Sequence, residues 1–130
     1  MKAFFLFYLV LISINVSAQP NLLSYCNLTP SDSVFFKGIN NGDEISVQDL
    51  IKAKKLFVLN SQSKITSFTF SWECEDCELV DWKIYGDSFS ESDIPMISEI
   101  RPKSVVVIDC IVGRKNNKII AFCSLFFYIK

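Results

Sequence analysis

The 130-residue chain contains no histidine. That removes the most common general base near neutral pH and the most common nitrogen ligand for metals, so either chemistry would fall to carboxylates, lysines and thiols. Glycine and proline number four each, and no glycine-rich loop of the kind that cradles phosphate is present. Basic residues are not in excess: 13 Lys and Arg against 14 Asp and Glu give a formal net charge of −1. A nucleic-acid footprint is therefore not expected. Beyond the first residues no apolar run is long enough to cross a bilayer, so no stable membrane anchor is expected. No nucleophile stands with a recognisable base, and the reading is that the chain is not an enzyme and needs no cofactor.

What is present begins with a leader. Met1 and Lys2 form a positive start, residues 4–14 an apolar core, and Val16-Ser17-Ala18 a small-residue site before Gln19. This is the pattern of a signal peptide cleaved between Ala18 and Gln19, and it predicts export to the periplasm or medium. Removing residues 1–18 leaves 112 of the 130, the size of one domain. Residues 19–35 read as an N-terminal leader strand or loop and 36–130 as the domain proper. All five cysteines follow the cleavage site, in a compartment where disulfides persist.

The domain reads as mainly β. Residues 64–72 alternate, with Phe68, Phe70 and Trp72 on one face and Ser67, Thr69 and Ser71 on the other, as in a half-buried strand. Val80, Trp82 and Ile84 repeat the pattern over 79–85. Helices are expected over 46–54 and 92–100. Ser46 caps the first with Asp49 at its third position and Ile45 packs on Leu50, while Ser92 caps the second ahead of Pro95. Two nearly continuous apolar runs, 104–112 and 119–129, flank a polar turn and predict a central hairpin covered on both faces. If Asn116 and Asn117 form a type I′ turn, counting outward sets Cys110 against Cys123 at a close, non-hydrogen-bonded position. A disulfide there closes a loop of about 14 residues, worth roughly 3 kcal/mol in the chain-entropy account. The competing reading leaves both as core thiols.

Cys74-Glu75-Asp76-Cys77 admits three readings: a redox pair, half of a zinc site, or a local structural bridge. The neighbouring Glu73 and Glu78 add to the negative charge, which raises rather than lowers a thiol pKa. Zinc would need two further ligands. The balance favours a Cys74–Cys77 disulfide or idle thiols, and no metal. Asp109, inside an apolar run, is expected to lean to an edge or find a partner.

The order of these pieces resembles the C-terminal domain of GldM, the periplasmic shaft protein of gliding motility and type IX secretion in Bacteroidetes. Gly38-Ile39-Asn40-Asn41-Gly42 leading into Ile45-Ser46-Val47-Gln48-Asp49-Leu50 is similar to that family's Gly-rich turn and helix start. Ile65-Thr66-Ser67-Phe68-Thr69, Gly86-Asp87-Ser88-Phe89-Ser90 and the closing Phe126-Phe127-Tyr128-Ile129-Lys130 resemble three further segments. The likeness spans roughly 36–130. It departs at Asn116-Asn117, where the family has Pro-Asp-Gly, at Lys103-Ser104, where it has Gly-Asp, and in the cysteines. The resemblance implies an immunoglobulin-like β-sandwich that packs against copies of itself or other proteins of the cell envelope, without catalysis. The alternative is a small secreted thiol-redox or metal-binding protein using Cys74 and Cys77.

Overall fold

The computed structural model of the chain describes residues 32–59 and 62–130. The leader, its Ala18–Gln19 cleavage site and Cys26 lie outside the described residues. In chain order the elements are β1 (Val34–Phe36), β2 (Glu44–Ile45), α1 (Val47–Ala53), β3 (Leu56–Val58), β4 (Lys64–Glu73), β5 (Val80–Tyr85), α2 (Ile94–Ser98), β6 (Val105–Lys115), β7 (Lys118–Ala121) and β8 (Leu125–Ile129). The protein is mainly β. A six-stranded sheet runs β2-β8-β6-β4-β5, with β7 added to the far end of β6. A two-stranded ribbon pairs β1 with β3. The two sheets share one core with α1 and α2, giving a sandwich whose second layer is part ribbon and part helix.

Alternation builds the core. Phe68 and Phe70 of β4, Val106 and Ile108 of β6, and Phe127 and Ile129 of β8 all point inward and are buried. Phe89, on the loop before α2, is the hub that the inward rings share. Its ring lies 5.8 Å from Phe36, 6.2 Å from Phe68 and 5.5 Å, edge-on, from Phe70. Phe36 in turn meets Phe127 at 5.9 Å, tying ribbon to sheet. Val34, grouped with the leader on sequence grounds, is buried in this core and pairs with Val58.

Helix α1 forms as its sequence implies. The Ser46 hydroxyl accepts from Asp49 N and the Asp49 carboxylate accepts from Ser46 N, a complete capping box. Those bonds, backbone first, hold the Asp49 carboxyl below its ordinary range. Leu50 is fully buried. The second helix is shorter than the 92–100 expected. Asp93 rather than Ser92 stands at its N-cap, and the chain leaves the helix by Glu99.

The hairpin turn is the one expected. Asn116 and Asn117 both hold positive φ, 52° and 64°, and Lys115–Lys118, Arg114–Ile119, Gly113–Ile120 and Val112–Ala121 pair in that register. Gly113 is required there by space rather than by φ. A Cβ at that position would run into the Lys64 carbonyl and lie 2.7 Å from the Phe122 ring. The hairpin is central, between β4 and β2, but only one of its faces is covered among the described residues. Phe126 and Tyr128 look outward at 40% and 49% exposure.

Truncating the hub tests this account of the core. Phe89→Ala should cost about 3–5 kcal/mol in equilibrium urea unfolding. A loss below about 1 kcal/mol would mean the four rings do not depend on it.

Candidate functional site

The residues singled out for chemistry fall in two separate places among the described residues. Cys74 and Cys77 occupy the turn between β4 and β5 and are joined to each other, with Cα atoms 5.1 Å apart. Cys77 N donates to Cys74 O at 3.3 Å, so the bridge spans a closed turn. The pair is a local staple at a hairpin tip flanked by Glu73, Glu75, Asp76 and Glu78.

The pairing expected between Cys110 and Cys123 is corrected. Cys123 is a free, exposed thiol, while Cys110 is disulfide-bonded elsewhere. The counting was sound on both sides of the pair. Phe122 N donates to Ile111 O at 3.0 Å, and beyond the cysteines Ile108–Leu125, Val107–Phe126, Val106–Phe127 and Val105–Tyr128 keep the same register. Only the middle opens. Cys110 takes a φ of 48°, leaving extended geometry, and Cys123 N turns to donate to Asp32 O at 3.2 Å. Asp109 holds the gap: its Oδ1 accepts from Cys110 N at 2.7 Å and from Ser124 Oγ at 2.8 Å. The odd carboxylate of the apolar run is thus a splint across a break in pairing.

Lysines from either side of α1 gather at one ring. Lys37 and Lys55 place their ammonium groups 5.2 Å and 5.3 Å from the centre of the Phe57 ring. Lys55 also reaches Asp87 at 3.8 Å. Beside them, Lys37, Ile39, Ile45, Asp49, Lys52 and Phe57 line an open groove of about 500 Å³. Among the described residues no three of His, Cys, Asp and Glu gather as a metal site.

Two features escaped the sequence reading. The first is Asp93, 6% exposed, whose carboxylate accepts from Ser90 N at 2.7 Å, Ser90 Oγ at 2.8 Å and Trp82 Nε1 at 2.9 Å. Burial works against its charged form, but the bonds from Ser90 and Trp82 prevail and hold its pKa below the ordinary value. The Ser-x-x-Asp spacing at 90–93, a reciprocal-capping signature, could have flagged it. The second is the division of aromatic residues. Phe68 and Phe70, on one face of β4, are wholly internal. The outward rings are those of Phe126 and Tyr128, edge-on at 5.8 Å. Val107 lies opposite Phe126 and Val105 opposite Tyr128. The turn before β2 borders this patch, where Gly42 N donates to Phe126 O and Asn41 Oδ1 accepts from Phe126 N.

A scan against protein-family models and a search of curated proteins return no match for this chain.

Two outcomes follow from the geometry. Non-reducing peptide mapping should return Cys74 linked to Cys77 and Cys123 alkylated. Cys110 should be recovered in a disulfide with a cysteine other than Cys123; a Cys110–Cys123 peptide would overturn the break in pairing. For Asp93, a folded pKa below the unfolded value means its stabilisation is present above about pH 4 and is lost as pH falls through the folded value. Asp93→Asn should accordingly be less stable than wild type at pH 7. The gap should close below about pH 4 in thermal melts, with Trp82 fluorescence as the local probe.

Proposed function

We propose that this chain is a non-catalytic, exported module of the cell envelope that binds another protein or a copy of itself, in the manner the resemblance to the GldM C-terminal domain implies. The observation that carries the reading is the outward patch of Phe126, Tyr128, Val105 and Val107, which no described layer covers. Contiguous aromatic and aliphatic surface of this kind marks protein–protein contact more often than it marks nothing. Disulfide bonding at Cys74–Cys77 and at Cys110 suits the oxidising compartment to which the leader points. The immunoglobulin-like description of the sandwich, the periplasmic or secreted location and the link to gliding or type IX secretion belong to this same proposal. The rival, a small thiol-redox or metal protein using Cys74 and Cys77, has less behind it, because the carboxylates around the Cys74–Cys77 turn disfavour the thiolate that redox or metal chemistry needs.

The test uses protein recovered from outside the cytoplasm, with a mature start at Gln19. A Phe126→Ser, Tyr128→Ser double variant should keep the wild-type circular dichroism and lose co-purification with its envelope partner about tenfold or more. Undiminished recovery by the double variant, or zinc bound in stoichiometric amount, defeats the reading.

A further inference from the structure

Among the described residues β5 ends the six-stranded sheet and pairs with β4 alone. Asp81, Trp82 and Lys83 are exposed in succession, and Leu79 and Tyr85 at the strand's two ends are 58% and 81% exposed. The opposite end of the sheet path, β2, is only two residues long. The direction of the free hydrogen-bonding groups follows from Gly86, whose N–H donates to Thr66 O at 2.7 Å. Antiparallel pairs alternate between bonded and unbonded. Ile84, Trp82 and Val80 therefore bond to their partners Phe68, Phe70 and Trp72. The backbone groups of Asp81, Lys83 and Tyr85 then point away from the sheet, as a template for another strand.

We propose that β5 pairs antiparallel with β5 of a second copy of this chain, about a two-fold axis at Trp82. The inference rests on the reading of the chain as a protein-binding module and names one partner for it. A two-fold pairing must set outward backbone groups against outward groups. Registers centred on Asp81, Trp82 or Lys83 do this while keeping most of the strand paired. Centring on Asp81 opposes two carboxylates, and centring on Lys83 opposes two ammonium groups; like charges directly opposite are destabilising. Centring on Trp82 sets Asp81 of each copy against Lys83 of the other. It also sets Leu79 against Tyr85 on the same face and Val80 against Ile84 on the opposite one. A lysine on an edge strand ordinarily deters pairing, but here the facing copy supplies the carboxylate that neutralises it. The groups are already placed for this. Ser71 Oγ donates to one oxygen of Asp81, Lys83 has no ion pair among the described residues, and Asp93 fixes the Trp82 ring.

Sedimentation of the full exported chain, disulfides intact, over a wide concentration range should show a reversible dimer. Asp81→Lys and Lys83→Asp should each weaken it about tenfold or more, since each places like charges opposite one another. An equimolar mixture of the two variants should recover the dimer, because every lysine then faces an aspartate. Rescue by mixing also shows that both variants are folded. In a Cys123→Ser background, Trp82→Cys should oxidise to a covalent dimer, the axis placing the two Cα atoms about 4.5 Å apart. A wild-type monomer at every concentration overturns the proposal, as does a dimer indifferent to both charge variants or not rescued by mixing. These results are separable from those of the Phe126, Tyr128 variant, which alters a different strand.

Discussion

The contact on which the rest of the structure depends is the meeting of aromatic rings at Phe89. The residue belongs to no strand or helix, yet it touches Phe36 of the ribbon and both Phe68 and Phe70 of the main sheet. Around it the loop is pinned by backbone: Phe89 N donates to Lys54 O at 3.0 Å and Leu56 N to Asp87 O at 2.8 Å. A small domain whose second layer, among the described residues, is a two-stranded ribbon and two short helices has little area with which to bury its sheet. Large rings supply that area with few side chains. The ordering of a loop is thereby made part of the core, and Asp93, four residues on, inherits a fixed position from which to hold Trp82.

The break at Cys110 shows a second constraint. Register in an antiparallel pair is set by the turn and by which face must be buried. Both conditions hold here across the whole hairpin, since pairing resumes in step at Ile108–Leu125. The gap between is therefore a local excursion that costs the sheet no slip. It turns Cys123 outward to meet Asp32 and leaves Cys110 to a different disulfide.

Much of this was legible beforehand because local chemistry decided it. The Asn116-Asn117 turn, the Ser46–Asp49 cap and the inward alternation of β4 each depend on residues within a few positions of one another, and each is where the sequence placed it. The disulfide was misread because opposition in register is necessary for a cross-strand bridge and not sufficient. Asp109 and Ser124, which hold the strands apart, look in sequence like isolated polar residues in apolar runs. The long apolar stretches of β6 and β8 suggested cover on both faces. Nothing in such a run tells an outward Phe126 from one buried by its own chain. Asp93 was missed for a similar reason: its partners are a loop serine and a tryptophan from a strand, and only the Ser-x-x-Asp spacing was visible.

The parallel seam between β2 and β8 bears on how the chain reaches this state. Ile45 pairs with Ile129 and Lys130 N donates to Ile45 O at 2.9 Å, so an early strand is completed by the last one in the described fold. A polypeptide delivered from its N-terminus emerges in order. Its β2 edge, the inner face of β4 and the Phe89 cluster would stay open until β8 arrives. Non-local closure of this kind is slow relative to helix or hairpin formation, so these surfaces stay exposed longest in a chain whose last residues have yet to emerge.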